Sequence, residues 1–539
     1  MKVTIASSIR VGLVCAAVVL IAMSGSCSLY SHANREKSAD PRVVTVIEKD
    51  SSKYHLRYVE ADDRGWFWHP EQADNVLSSI KRESEADNII VVLFVHGWHH
   101  SSECYDENLE AFKNVLARLD TELETYTVTR LATSNSVDSR PSRDGAKVPK
   151  LRIFGIFVSW RGRSLPSYLD YATFWGRKTA AETFGTRDLR EFMHRLQMLY
   201  DEQNARQSPK PFFGLVSIGH SFGGAALLKA TSFEFERQLE LVNARSGFLR
   251  KGIEGVPAVP IRSPVAGFGD LVVLVNPAIE ASAYERINQL SRGLSFPDEQ
   301  SPLLVTFSAE NDWVRQHLFK PGRIAGELFT TSAHVPDPTE RSLERNPLGV
   351  YDETQVGATH ELRPAGDRTV NIKQVQMTRD PLCTASHIGE SRSPDSDLAS
   401  GYYEWLQWEE PTGPDSVIPG ETFGLPNDKN PLAQRDLEGE IAKFDFSGNV
   451  QFVGVRQTRK EGREPAPGRS AAKHQPFMIV DVDDTIINGH NGIFSEPFMN
   501  FLMRYVGLAE AKRYLNMARR PVPPTQADSI EHLVGGVHK

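Results

Sequence analysis

The sequence predicts an α/β fold: a mostly parallel sheet with helices on both faces and a long insertion before the last strand. Three observations carry this. Short apolar runs alternate with helical patterns along much of the chain, the order expected of a parallel sheet covered on both sides. Ile89–Val95 is an unbroken apolar run, typical of a strand buried on both faces. Residues 213–228 read Phe-Gly-Leu-Val-Ser-Ile-Gly-His-Ser-Phe-Gly-Gly-Ala-Ala-Leu-Leu, a strand running into Gly-x-Ser-x-Gly and out into a small-residue helix.

In order, Val43–Ile47 and Tyr54–Val59 are expected to open the sheet, followed by a helix around Gln72–Glu83. The buried strand Ile89–Val95 comes next, then a helix over Glu103–Leu119. Residues 131–149, rich in Ser, Asp, Arg and Pro, form a surface loop ahead of the strand Ile153–Val158. One long helix is expected over 177–206, and after the Ser221 turn and its helix come the strands Leu271–Val275 and Leu303–Phe307. From about 323 to 475 the chain is heavy in Pro, Gly, Asp, Arg and Ser, so this stretch reads as an irregular insertion or lid. Phe477–Val482 is the last strand, with a helix from about 495 to 507 and a Pro-rich tail after it. The expected organisation is therefore a core over 42–322, the insertion over 323–475, and a closing segment over 476–539.

With 539 residues, 40% apolar and 24% charged, the composition is that of an ordinary globular protein. A formal net charge of −8 gives no reason to expect nucleic acid as a partner. Residues 1–27 have a signal-peptide layout: Lys2 and Arg10, an apolar run over Val11–Met23, then Ser24-Gly25-Ser26-Cys27. A cysteine behind small residues resembles a bacterial lipobox, with Ser24 standing where that motif has leucine. The expectation is an exported, cell-envelope protein. It would be a membrane-anchored lipoprotein held through Cys27 and a tether over 28–41, or otherwise periplasmic or secreted. Cys104 and Cys383 are the cysteines of the body, and spacing cannot say whether they meet.

Ser221 sits at the tip of a turn that exposes its hydroxyl at a helix N-terminus, where the dipole favours developing negative charge. A serine hydroxyl is a weak nucleophile until a histidine takes its proton and an acid holds that histidine. The acid candidate is Asp312, in Ser308-Ala309-Glu310-Asn311-Asp312-Trp313 beyond a strand, with Glu310 as competitor. The base candidate is His490, in the Gly-rich turn beyond the last strand, with His387 in the insertion as rival. An oxyanion needs two backbone N–H donors. Phe222 follows the nucleophile, and Trp98 lies in His96-Gly97-Trp98-His99-His100 after the first buried strand. Those histidines are too closely spaced on one turn to converge on a metal, so neither metal nor cofactor is expected.

His-Gly-Trp, Gly-His-Ser-Phe-Gly, a late Asp and a later Gly-His together resemble the α/β-hydrolase superfamily of esterases and lipases. Ser159-Trp160-Arg161-Gly162 and Asn276-Pro277-Ala278 resemble a poorly characterised group within it. The resemblance covers about 40–330 and 476–510. It implies a mostly parallel eight-stranded sheet and acyl transfer through a serine ester. The roles carried over are nucleophile Ser221, acid Asp312, base His490, and oxyanion donors Trp98 and Phe222. Asp481-Val482-Asp483-Asp484-Thr485 resembles the opening of haloacid-dehalogenase phosphatases, but the residues after it are too few for the rest of that machinery.

The expected activity is hydrolysis of a small-molecule ester or lipid. Trp98, Trp160, Trp175 and Phe222 read equally well as apolar walls for an acyl chain and as core. Peptidase and acyltransferase chemistry use the same groups. The reading from a different class is a non-catalytic, envelope-anchored binding protein on a hydrolase scaffold.

Overall fold

A computed structural model of the chain describes residues 46–49, 52–103, 106–134, 151–162, 173–205, 212–245, 259–297, 300–327, 336–350, 358–364, 370–376, 402–408, 443–446, 450–454, 475–503 and 505. The export segment, Cys104, Cys383 and His387 lie outside these residues.

The strands are β1 (Val46–Lys49), β2 (Ser52–Ala61), β3 (Asn88–Val95), β4 (Leu151–Trp160), β5 (Phe213–His220), β6 (Val259–Pro260), β7 (Leu271–Val275), β8 (Leu294–Ser295), β9 (Leu304–Ala309), β10 (His360–Pro364), β11 (Val370–Gln376), β12 (Tyr402–Trp408), β13 (Lys443–Phe446), β14 (Val450–Gly454) and β15 (Phe477–Val482). The helices are α1 (Pro70–Ala86), α2 (Glu107–Ser134), α3 (Phe174–Thr186), α4 (Asp188–Ala205), α5 (Phe222–Arg245), α6 (Ser282–Ser291), α7 (Lys320–Glu327) and α8 (Pro338–Arg345). The central sheet runs β1-β2-β4-β3-β5-β7-β9-β15-β10-β14-β13. From β2 to β10 every neighbouring pair is parallel, which makes eight parallel strands. β1 joins one edge antiparallel, and β14 and β13 join the other.

Parallel strands deliver all their C-terminal ends to one edge, and the register sharpens this. Val95 pairs with Gly219, His220 with Val275, Val275 with Phe307, and Ala309 with Val482. The loops that follow β3, β5, β7, β9 and β15 therefore emerge side by side, as ligand-binding loops do in parallel α/β sheets.

Strand side chains alternate between two cores, the period of a pleated strand. In β3, Ile89, Val91, Leu93 and Val95 enter one core with Val76, Phe184, Leu196, Leu227 and Ile287 from α1, α3, α4, α5 and α6. Ile90, Val92 and Phe94 enter the other, against Leu109, Phe112 and Leu116 of α2 and Phe498 and Leu502 of the closing helical segment. Both faces are covered, which is why the strand sequences are continuously apolar.

Three expectations differ from what is found. α2, expected to end at Leu119, runs on to Ser134 and into the stretch expected as a surface loop over 131–149. The long helix over 177–206 is two helices, broken at Arg187 (φ −117°, ψ −120°). The turn after β2 fastens the break: Asp188 donates its N–H to the Gly65 carbonyl and accepts the Phe67 N–H at 2.7 Å. The stretch 323–475, expected as an irregular insertion, supplies β10, β14 and β13 to the sheet edge.

Candidate active site

Ser221 stands between β5 and α5 with φ +55°, in the left-handed region that a non-glycine residue occupies at a cost. Its neighbours permit the turn because they lack side chains. A Cβ on Gly223 would lie 2.2 Å from the Val95 carbonyl oxygen, and one on Gly219 would lie 2.8 Å from that of Gly223. The elbow is also tied to β7: the Ser221 N–H donates to Val275 O at 3.0 Å, and its carbonyl accepts from the Ala278 N–H at 3.1 Å.

The Ser221 hydroxyl lies 2.7 Å from His490 Nε2, and His490 Nδ1 lies 2.8 Å from Asp312 Oδ2. The three residues expected to act together are brought into one relay, across 269 and 178 residues of sequence separation. Asp312 is fully buried, which works to raise its pKa. The charge and hydrogen bond of His490, and Arg315 beside it, outweigh burial and hold the carboxyl below its usual value. An ionised carboxylate only accepts, so His490 Nδ1 carries the proton and Nε2 is left to accept the serine O–H.

Arg315 is itself fully buried. Its N–H donates to Asp312 Oδ1 at 3.1 Å, and Nη1 lies 3.8 Å from Oδ2. Nη1 also donates to Ser308 Oγ at 2.9 Å, and Nη2 donates to the Leu348 carbonyl. Glu310, the competing acid, instead meets Arg363 of β10 at 2.5 Å. Arg363 also lies 3.7 Å from Asp481 and 3.6 Å from Asp483, so the acidic run at the end of β15 surrounds an arginine rather than His490.

The segments that carry the two expected oxyanion donors meet at the nucleophile. Phe222 is the first residue of α5, so its N–H has no acceptor within the helix. The loop after β3 runs hard against the elbow: a Cβ on Gly97 would lie 2.9 Å from Ser221 Cβ and 2.8 Å from His220 Nδ1. Trp98 follows directly. The loop histidines are committed elsewhere. Trp160 N–H donates to His96 Nε2 at 3.2 Å, and His96 Nδ1 then donates to the Gly97 carbonyl at 2.9 Å. His100 lies between Asp106 at 3.2 Å and Asn108 at 3.0 Å. Among the described residues no group of three or more His, Cys, Asp or Glu is arranged to hold a metal ion.

Three of the aromatics weighed as acyl-chain walls are interior. Trp98, Trp160 and Phe222 are buried, and Phe174 packs against Phe222 at 4.8 Å and Trp98 at 5.2 Å between ring centres. Trp175 is half-buried at the edge of this cluster. Beside it, Arg161 and Arg177 share the Asp63 carboxylate and fasten the turn after β2 to the end of β4.

Other contacts of the His490 loop went unread in the sequence. His220 Nε2 donates to the His490 carbonyl at 2.9 Å, and Asn276 Nδ2 donates to the Gly489 and His490 carbonyls at 3.1 and 3.0 Å. Asn311 Oδ1 accepts the Gly489 N–H at 2.6 Å. His220 and Asn276 both stood in the motifs that carry the family resemblance, and that was the available signal.

The profile of the Alpha/beta hydrolase family matches residues 92–386, more than half of the chain. The chain belongs to this family. The match takes in the β3 loop, Ser221 and Asp312; His490 lies beyond it. No curated relative matches the chain. Among solved structures, the Tle1 effector bound to the VgrG spike of the type 6 secretion system is similar at 15% identity, over 42% of this chain and 46% of that one, with a TM-score of 0.17. An uncharacterized protein from Pseudomonas aeruginosa is similar at 11% identity, over 48% of this chain and 42% of that one, with a TM-score of 0.16. The chain thus spans less than half the length of either structure.

Proposed function

We propose that this member of the alpha/beta hydrolase family is a serine hydrolase that cleaves carboxylic esters through an acyl-enzyme. The observation that carries the reading is the relay Ser221 Oγ–His490 Nε2 at 2.7 Å and His490 Nδ1–Asp312 Oδ2 at 2.8 Å. Both distances lie within the hydrogen-bond reach that base-assisted attack requires.

In the proposed reaction Ser221 Oγ bonds to the ester carbonyl carbon while its proton passes to His490 Nε2. The carbonyl oxygen becomes an oxyanion, received by the N–H groups of Trp98 and Phe222. Collapse breaks the bond to the alcohol oxygen, and the alcohol leaves with the proton from His490. Water then attacks the acyl-enzyme by the same proton path and frees the acid. Asp312 keeps the imidazole in the accepting tautomer and stabilises the imidazolium that forms. Attachment to the cell envelope through Cys27 belongs to the same proposal and rests on residues 1–27 alone.

The test is hydrolysis of nitrophenyl esters of graded chain length by the wild type, Ser221→Ala and His490→Ala. Turnover by the wild type, lost in both variants, supports the reading, and the chain-length profile separates esterase from lipase. A wild type that hydrolyses none of the esters contradicts it and favours the binding-protein reading.

A further inference from the structure

Resting on that reading, we infer that His220 and Asn276 are positioning residues that set the general base against the nucleophile by gripping the main-chain carbonyl of His490. The base needs such a device. It arrives 178 residues after its acid partner, on a loop that leaves the sheet at the end of β15.

Asn276 lies immediately after β7, with φ +46°, a left-handed conformation that Asn tolerates better than most residues. It is fully buried and uses both ends of its amide. Oδ1 accepts the Ala309 N–H at the end of β9 at 2.8 Å, while Nδ2 reaches the carbonyls of Gly489 and His490. Two residues on, the Ala278 N–H holds the Ser221 carbonyl at 3.1 Å. The turn Asn276-Pro277-Ala278 therefore binds the nucleophile elbow through its main chain and the base loop through its side chain. It sets the register between the two.

His220 reaches the same carbonyl from the elbow itself. A carbonyl only accepts, so Nε2 carries the His220 proton and Nδ1 is a bare acceptor. Among the described residues that buried Nδ1 has no hydrogen-bond partner, and it faces Gly97. Burial and the neighbouring His490, whose ring centre is 5.2 Å away, keep His220 neutral. The free nitrogen of His220 faces Gly97, whereas the nitrogen that lies 2.7 Å from the Ser221 hydroxyl is His490 Nε2. Of the two histidines beside the serine, one does chemistry and the other holds it in place.

The test compares His220→Ala, His220→Gln and Asn276→Asp with the wild type and Ser221→Ala. Each is followed by fluorophosphonate labelling rate, by kcat and KM on a nitrophenyl ester, and by thermal melting. Gln presents an N–H donor close to the position of Nε2. Asp keeps the shape of Asn276 and its acceptor for Ala309 but presents an acceptor to the His490 carbonyl. An ångström of misplacement costs on the order of 100-fold in rate. The expected result is a fall of about that size in kcat and labelling for His220→Ala and Asn276→Asp, with KM nearly unchanged. His220→Gln should recover most of the rate. Rates are referred to serine titrated by the phosphonate, so a partly unfolded preparation does not imitate the effect. Wild-type rates in folded His220→Ala and Asn276→Asp, with Ser221→Ala unlabelled, would overturn the positioning role and leave the triad standing. A wild type that neither labels nor hydrolyses would overturn both.

Discussion

Replacing Asp312 by Asn separates what this carboxylate does for catalysis from what it does for the fold. Two demands meet on one fully buried group. Oδ2 accepts the hydrogen bond of His490 Nδ1–H at 2.8 Å, and the whole charge answers Arg315, which is equally buried. An Asn amide fits the space, but turned toward His490 it offers a donor where an acceptor is required. The ring then adopts the other tautomer, with its proton on Nε2, and cannot take the proton of Ser221. A loss of about 10⁴-fold in kcat is expected. The same change leaves a buried guanidinium without its nearest counter-charge, which costs about 3–5 kcal/mol. For a domain of this size the melting temperature should drop on the order of 5–10 °C. Adding Arg315→Met to Asp312→Asn removes the orphaned charge. The double variant should melt closer to the wild type while remaining inactive. Ester hydrolysis and calorimetry on the three proteins read both effects. Asp312→Asn within tenfold of wild-type kcat, or a double variant no more stable than the single one, would refute the reasoning.

Further consequences concern the elbow and pH. Gly223→Ala puts a Cβ 2.2 Å from the Val95 carbonyl and 2.3 Å from that of His96, both main-chain atoms that cannot swing aside. It should yield an inactive protein of clearly lower melting temperature. Gly97→Ala meets the His220 ring at 2.8 Å and Ser221 Cβ at 2.9 Å, so it should remove most ester hydrolysis with less loss of stability. Burial pulls His55 and His96 from 6.5 down to about 4. Between those values the unfolded chain holds protons that the folded chain does not. Stability is therefore whole above about pH 6.5 and falls as pH drops toward 4, by about 1.4 kcal/mol per pH unit for each histidine. Melting followed from pH 7 to 4 checks the sign, and His96→Gln should flatten the slope by one proton.

How much of this was legible in the sequence depends on the kind of interaction involved. Strands of the parallel sheet could be read because burial on both faces leaves unbroken apolar runs: Leu271–Val275 and Phe477–Val482 begin and end where expected. The break at Arg187 could not, because the residues that make it, Gly65 and Phe67, lie far away in the chain and act through main-chain bonds. β10 was hidden for the opposite reason. His360-Glu361-Leu362-Arg363-Pro364 has one aliphatic side chain, Leu362, facing a core, and its other contacts are main-chain pairing and the charges around Arg363. At the site, Ser221 announces itself through its glycines, and Asp312 and His490 through their positions after strands. His220 and Asn276 were visible only as motif letters, since what they bind is a carbonyl that every residue possesses.

The most direct test of the central claim is the mass of the peptide containing Ser221 after treatment with a fluorophosphonate, for the wild type and for His490→Ala. The account predicts a single phosphonyl adduct on Ser221 in the wild type, with its formation slowed by orders of magnitude in the variant. An adduct on another residue, no adduct at all, or equal rates in the two proteins would contradict it.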